Sequence, residues 1–562
     1  MRFLREISKL AACCLVAAGI FCATPTAFAD EAAAEATAPA VATYAGATRY
    51  ETSEQIVEAA LELESSYDGV VIACGSNFPD ALSALQLSGT LNYPVLLTET
   101  DGLTSSTIQA LNALANAKGG SLSIHIVGGT SAVSYRVETQ LSAWGAVERH
   151  AGATRYETNQ AVNAYCASTA AQIPSTIIIA TGAGYADALA ISPYICSTAT
   201  PLMLVDRTLS VEQMQALRSY ENVVILGGTS AVNSYVEAQA TLAVGLGNVT
   251  RLAGTTRYGT CSAIAGWELE QGMGASTCGY ATGEDFPDAL SCGFLLGKQN
   301  AALMLTDASD TCEDYATFTE SISQQLESVL FFGGTNSLPY QVRTRVTGIA
   351  SEKYFGARYG ADTKLVCIGD SYLEGYTPDS GYITSWGSML ASAIGCEEHN
   401  VSLGGTGFSN SIDGVTFSTL VDWAYQRYGD DVDLVVIGGG YNDIYWPTST
   451  EFTNVVSVLE KVQSYWPNAK VYVFAPFWGT TPYYGGGTVL SRTFQNAVAQ
   501  ACSNGLDVEC FADCRSWIHG YKAGSAFISS DSIHPREEGQ KVIARSIMAS
   551  IIGLDQTNYN WL

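Results

Sequence analysis

Internal repetition limits this chain more than any other feature. Gly46-Ala47-Thr48-Arg49-Tyr50-Glu51-Thr52 returns as Gly152-Ala153-Thr154-Arg155-Tyr156-Glu157-Thr158 and again as Gly254-Thr255-Thr256-Arg257-Tyr258-Gly259-Thr260. A second motif follows each copy: Phe78-Pro79-Asp80-Ala81-Leu82, Tyr185-Ala186-Asp187-Ala188-Leu189 and Phe286-Pro287-Asp288-Ala289-Leu290. A third closes each copy: Val127-Gly128-Gly129-Thr130, Leu226-Gly227-Gly228-Thr229 and Phe332-Gly333-Gly334-Thr335. The step of roughly a hundred residues is too long for a short-repeat solenoid and long enough for each unit to bury a core of its own. Within a unit, short apolar runs such as Val70 to Cys74, Pro94 to Thr98 and Ser123 to Val127 alternate with helical patterns. That alternation predicts an α/β unit, a small parallel sheet covered by helices.

These motifs resemble the type 2 cell-wall-binding repeat, a module found in threes on exported proteins of Gram-positive bacteria. The resemblance implies three Rossmann-like repeats, over 43–148, 149–249 and 250–352, and noncovalent attachment to an anionic polymer of the cell wall. Charge restricts how such a partner is met. At a formal net charge of -27, the chain attracts neither nucleic acid nor an anionic surface by general electrostatics, so an anionic polymer must find a local basic cluster. Arg49, Arg155 and Arg257 are candidates, because a guanidinium grips phosphate or carboxylate in a fork. The other reading of these arginines is an internal pair with the aspartate of the same repeat. The Gly-Gly-Thr turns carry a similar choice, between an anion-binding nest and tight strand-to-helix packing.

Ahead of the repeats, Arg2, Arg5 and Lys9 precede an apolar run from Leu10 to Phe21, and Ala27-Phe28-Ala29 offers a cleavage point before Asp30. This reads as a secretory signal peptide over 1–29, followed by a linker over 30–42. No later stretch reaches the ~18 apolar residues of a transmembrane helix. The expectation is a secreted protein kept at the cell wall or cell surface. Three of the fifteen cysteines, Cys13, Cys14 and Cys22, leave with the signal peptide. The even number that remains suggests disulfides in an oxidising compartment, though spacing does not give their pairing. Cys367, inside an apolar strand, reads as a buried small hydrophobe. Five histidines, with no CxxC pair and no HExxH motif, give no expectation of a metal or cofactor.

After the third repeat, Tyr354-Phe355-Gly356-Ala357-Arg358-Tyr359-Gly360-Ala361 looks like the opening of a fourth copy that is never completed, and predicts a short rigid join over 353–363. The remainder, 364–562, has a different pattern. Lys364 to Ile368 is a short buried-strand run, Gly369 allows a sharp turn, and Asp370-Ser371-Tyr372-Leu373 follows. Asn400 to Thr406 ends a second strand in a Gly-rich turn, and Val435 to Asp443 ends a third. Asp531-Ser532-Ile533-His534-Pro535 stands before the last helical stretch. Taken singly, Ser371 reads as a helix cap, Asn442 and Asp443 as turn residues, and Asp531 with His534 as a surface pair. Taken together they lie in a fixed order on loops at strand ends, the edge where an open parallel sheet collects ligands.

The four blocks resemble the SGNH hydrolase superfamily, also called GDSL esterases and lipases, over roughly Lys364 to Gly553. The resemblance implies an α/β/α sandwich with a five-stranded parallel sheet. An ester requires an activated nucleophile, and Ser371 has a natural base in His534, which Asp531 can orient three residues away. For the oxyanion, the resemblance assigns the backbone N–H groups of Ser371 and Gly405 and the side-chain amide of Asn442. Tyr372 stands where the family has leucine, which suggests a position that bears on substrate specificity more than on the reaction itself. Loop aromatics, Tyr376, Tyr382, Tyr441, Tyr445, Trp446, Phe477, Trp478, Tyr483 and Tyr484, suit the stacking of sugar rings, or else pack the sheet edge. The expected function is a wall-attached serine esterase removing short acyl groups, acetyl above all, from a glycan. A lysophospholipase or lipase, an acyltransferase, and an inactive surface adhesin are the other readings.

Overall fold

The computed structural model describes residues 38–170, 172–307, 313–475, 486–511, 514–518 and 521–554. The expected signal peptide, Cys312, Phe477, Trp478, Tyr483 and Tyr484 lie outside the described residues. None of the described helices is long and apolar enough to cross a membrane.

Strand β1 (Ala40–Tyr44) comes first, and four parallel strands then build the first sheet: β2 (Gly69–Cys74), β3 (Val95–Thr98), β4 (Leu122–Val127) and β5 (Gly145–His150), in the order β3-β2-β4-β5. The second sheet repeats this with β6 (Thr176–Thr181), β7 (Leu202–Val205), β8 (Asn222–Leu226) and β9 (Val249–Leu252), in the order β7-β6-β8-β9. The third has β10 (Gly274–Thr282), β11 (Ala301–Thr306) and β12 (Ser328–Phe332), and no fourth strand of its own sequence follows. The place is taken by β1, which pairs parallel with β12 from Ala40 opposite Ser328 to Tyr44 opposite Phe332. In each repeat the strand just ahead of the Gly-x-Thr-Arg-Tyr motif therefore belongs to the sheet before it, and the beginning of the chain completes the third.

The motifs have structural explanations. Thr48, Thr154 and Thr256 each cap a helix, their hydroxyls accepting the N–H of Glu51, Glu157 and Gly259. Gly46, Gly152 and Gly254 lie against that first helical turn so closely that a Cβ would stand 2.1 to 2.3 Å from its atoms. The Gly-Gly-Thr turns put Gly128, Gly227 and Gly333 at positive φ, packed on the carboxylates of Asp80, Asp187 and Asp288. Close packing thus accounts for these turns.

The three arginines do not pair inside their own repeats. Each donates to a carbonyl of its own repeat at 2.6 Å, Gly75 for Arg49, Gly182 for Arg155 and Gly283 for Arg257. Each then lies over an aromatic ring of another repeat: Arg49 over Phe286, Arg155 over Phe78 and Arg257 over Tyr185. Phe78, Tyr185 and Phe286 also meet one another, with centroids 5.3 to 6.1 Å apart. The repeated motif residues close a three-way contact between repeats, and one apolar core runs through all three units.

The C-terminal sheet contains β13 (Leu365–Gly369), β16 (Glu398–Ser402), β17 (Leu434–Gly438), β18 (Lys470–Phe474) and β19 (Val508–Phe511). Its order is β16-β13-β17-β18-β19, all parallel, while the two-residue strands β14 (Tyr376–Thr377) and β15 (Gly381–Tyr382) form a hairpin between β13 and β16. Helices Phe417–Tyr428, Thr448–Tyr465 and Gly486–Ser503 pack as one group, and Tyr340–Arg358, Trp386–Ile394 and Glu537–Ile551 as another.

The apparent fourth copy proves to be helix. Tyr354 to Arg358 finish the helix Tyr340–Arg358, and Phe355 is wholly buried in the core of the C-terminal unit. Gly356-Ala357-Arg358 lacks the threonine that starts a new helix in the three true copies, so the existing helix continues. Arg358 donates to the Ile551 carbonyl at 2.9 Å, and the hydroxyls of Tyr359 and Tyr472 lie 3.0 Å apart. No disulfide joins any two of Cys74, Cys166, Cys196, Cys261, Cys278, Cys292, Cys367, Cys396, Cys502 and Cys510, most of which are buried. Burial raises the thiols of Cys278 and Cys510 to about 12, so these two act as small apolar groups.

Candidate active site

Register brings the motif loops together. Gly369 at the end of β13 pairs with Ser402 on one side and Gly438 on the other, so three neighbouring strands finish level. The chain leaves β13 toward β16 and then crosses to β17, which places the crevice of the sheet at this edge. Gly369 is required by the close approach of its neighbour, since a Cβ would stand 2.5 Å from the Gly438 carbonyl oxygen.

Ser371 opens a single helical turn, Ser371–Glu374, which Gly375 ends in the left-handed conformation. The wholly buried Asp370 anchors this turn by accepting the N–H of Tyr372 at 3.1 Å and of Gly440 at 3.0 Å. Burial raises Asp370 to about 6 against the pull of those two N–H donors. His534 Nε2 lies 3.0 Å from Ser371 Oγ, and His534 Nδ1 lies 2.5 Å from Asp531 Oδ2. Burial alone would raise the Asp531 carboxyl, but the Ser529 hydroxyl, the His534 ring and the N–H groups of Ile533 and His534 together hold it below its ordinary value. Ser532 adopts φ +65 between them, the turn that lets Asp531 reach the ring three residues on.

On the opposite rim, Gly405 sits at φ +82, and the Asn442 amide donates to the Thr406 carbonyl at 2.8 Å. One amide hydrogen of Asn442 thus fixes the Gly-rich turn, and its second is available to a ligand. Among the described residues nothing accepts the N–H of Ser371 or of Gly405. All five residues singled out in the sequence, Ser371, Gly405, Asn442, Asp531 and His534, are therefore on loops of one sheet edge.

Sequence reasoning missed the supports. Asp443, read as a turn residue, is buried and accepts three N–H groups, from Phe408 at 2.8 Å, Ser409 at 2.9 Å and Asn410 at 2.6 Å. Asn410 in turn donates to the Gly405 carbonyl at 2.5 Å, so Asp443 holds the whole turn. Behind it, burial and the neighbouring Asp443 raise Glu451 to about 8, where it accepts the Ser409 hydroxyl at 2.5 Å. Tyr372 is buried behind the histidine loop. It is 1% exposed, its hydroxyl donates to the Ile533 carbonyl at 2.9 Å, and its ring packs on His534. The extra reach of tyrosine over leucine secures the histidine loop. Asp379, at the tip of the β14–β15 hairpin, accepts from Arg536 at 2.6 Å and from the Ser530 N–H at 2.7 Å, which fixes the same loop from outside. Tyr376 lies edge-on to His534 at 5.4 Å and continues to the exposed Tyr382, while Tyr445 and Trp446 are exposed close in sequence to Asn442.

The class of protein follows from family matches. Residues 43–138, 149–237 and 251–343 match the family Cell wall binding domain 2, and residues 367–542 match the GDSL-like Lipase/Acylhydrolase family. The chain thus carries three cell wall binding domains and one GDSL-like acylhydrolase domain. Over 378 residues, 66% of this chain and 69% of the relative, it is 26% identical to the N-acetylmuramoyl-L-alanine amidase LytC of Bacillus subtilis (strain 168). It is 30% identical to the Amidase enhancer of the same organism over 361 residues, 59% of this chain and 47% of that protein. In fold it is similar to Cwp6 from Clostridium difficile, at a TM-score of 0.50 and 17% identity, over 92% of this chain and 80% of that one. The chain spans about half the length of the amidase enhancer, and about half that of Cwp8 from Clostridium difficile, to which it is 23% identical over 55% of its own length at a TM-score of 0.49.

Proposed function

We propose that this is an exported serine esterase, held on a bacterial wall by its three repeats, that removes short acyl groups, acetyl above all, from a glycan. The observation that supports it is the continuous line from Asp531 through His534 to Ser371, beside two backbone N–H groups that have no acceptor among the described residues. In this reading Ser371 Oγ attacks the ester carbonyl as His534 Nε2 takes its proton, and Asp531 stabilises the imidazolium. The carbonyl oxygen gains its charge against the N–H groups of Ser371 and Gly405 and the free amide hydrogen of Asn442. Collapse of the tetrahedral intermediate expels the sugar hydroxyl, which takes the proton from His534. Water then repeats the sequence on the acyl-serine and releases the carboxylic acid.

The preference for a sugar ester rests on the rim. Tyr376, Tyr382, Tyr445 and Trp446 present exposed rings suited to stacking on pyranose faces. The anchoring reading rests on the three wall-binding domains, with an anionic wall polymer as partner.

The test compares the protein with Ser371→Ala on para-nitrophenyl esters from acetyl to palmitoyl. Turnover confined to short chains and reduced about 10⁴-fold or more in the variant is expected. A preference for long chains would replace the glycan reading by a lipase. Transfer to an added sugar in preference to water would make it an acyltransferase, and turnover by neither protein would leave an adhesin. Retention of the protein on purified wall sacculi, released by competing anionic polymer, checks the anchor.

A further inference from the structure

Among the described residues, His125, Glu148 and His150 form a group whose ligand atoms all lie within 4.8 Å of one another. The arrangement comes from strand register. β4 and β5 are neighbours, His125 is opposite Glu148, and His150 follows two residues later on the same face of β5. His125 Nδ1 lies 3.0 Å from His150 Nε2 and 3.9 Å from Glu148 Oε2, and the two rings are stacked with 9° between their planes. Both imidazoles are buried, whereas the Glu148 side chain is 54% exposed.

We propose that His125, His150 and Glu148 form a binding site for a divalent metal of the zinc class at the seam between the first and second repeats. His125 Nε2 lies 3.0 Å from Ser123 Oγ. An N–H there, donated to the hydroxyl, leaves the Nδ1 lone pair facing His150, the kind of outer partner that orients a ligating histidine. At a Zn–N distance of about 2.0–2.1 Å, nitrogens 3.0 Å apart subtend about 90° at the ion, and a further ~0.4 Å opens this to a tetrahedral angle. Glu148, half-exposed, needs to close on His125 Nδ1 by about half an ångström. Two imidazoles and one carboxylate suit zinc and leave a fourth position for water; they are a poor match for the hard ions calcium and magnesium. In the absence of an ion, the proton on His150 Nε2 bridges the two nitrogens, donated to the bare His125 Nδ1. On binding, His150 moves that proton to Nδ1, so the metal enters without a net change in charge on the rings.

The place of the site gives it a consequence. β5 is an edge strand of the first sheet and leads directly to the cap of the second repeat's first helix, Arg155–Thr169. Tyr165 of that helix packs on both histidines, 4.5 Å from the His150 ring and 5.5 Å from His125. An ion here ties β4 to β5 at the point where the second repeat begins.

The experiment adds Zn²⁺ alone to the chelator-stripped full chain and follows uptake by equilibrium dialysis, thermal unfolding, and X-ray absorption at the zinc edge. Glu148→Gln and His150→Phe are compared with the parent. The expected result is one bound zinc with imidazole nitrogen in its first coordination shell and a higher Tm, at least tenfold weaker in Glu148→Gln and lost in His150→Phe. If His150→Phe fails to fold, Glu148→Gln, altered only at a half-exposed carboxylate, still decides. No uptake by the parent, or uptake unchanged in the variants because thiols elsewhere hold the ion, overturns the site.

Discussion

The repeats and the hydrolase domain use their motif residues in opposite ways. In the repeats, the recurring Arg, Asp, Gly and Thr are consumed by the fold: threonines cap helices, glycines allow close approach, and arginines donate to carbonyls and cover a neighbour's ring. In the hydrolase domain, the residues that stand out once each leave capacity unused among the described residues: N–H groups without acceptors there, and a serine hydroxyl that meets its base. A motif that recurs in every unit is under the same structural demand each time. One that occurs once, spread over four loops of one edge, answers a demand the fold alone does not make.

Substitutions can break that contrast. The largest effect is expected at Asn442→Ala, where kcat on a short-chain ester falls about 10²- to 10³-fold with little change in KM, because the lost donor acts on the transition state. Its Tm should fall only by what the lost bond to the Thr406 carbonyl costs, about 1 kcal/mol in stability; a collapse of the fold would make Asn442 one more structural motif residue. Arg257→Ala is the counterpart in the repeats. Loss of its contact with Tyr185 and with the Gly283 carbonyl is expected to cost about 1–3 kcal/mol in unfolding experiments, with ester turnover unaltered.

A pH series sharpens the contrast within the hydrolase domain. Glu451 is raised from 4.5 to about 8, so the folded chain keeps a proton that the unfolded chain has released. This contribution to stability is fully present below about 4.5 and is lost as pH rises toward about 8. Glu451→Gln, which keeps the acceptor for Ser409, should flatten urea-unfolding stability over that window and gain most at its alkaline end. The smallest effect is expected at Thr154→Ala, about 1 kcal/mol for a lost helix cap, read as a shift in the urea midpoint.

Much of this was legible beforehand because it is local. Apolar runs bounded by glycine became strands, and the order of Ser371, Gly405, Asn442 and His534 placed each on a strand-end loop. What escaped depends on pairings distant in sequence. Asp443 resembles any turn aspartate until the backbone from Phe408 to Asn410 is laid over it. Arg155 and Asp187 suggest an internal pair, whereas the ring that Arg155 covers, Phe78, belongs to the previous repeat. Tyr372 looked like a change in specificity because its neighbour in space, Ile533, is far along the chain. The pseudo-fourth copy misled for a local reason, since the absent threonine between Ala357 and Arg358 was visible all along.

The pairing of β1 with β12 also sets an order of events. A chain made from its amino end completes the first two sheets as they appear, yet Ala40 has no partner until Ser328 has been synthesised. Over that interval β1 is an unpaired strand, available to any other strand that meets it first. Among the wall-binding units, the one that adjoins the catalytic domain is thus the last to be sealed. A chain cut anywhere before β12 leaves its first strand without a place to go.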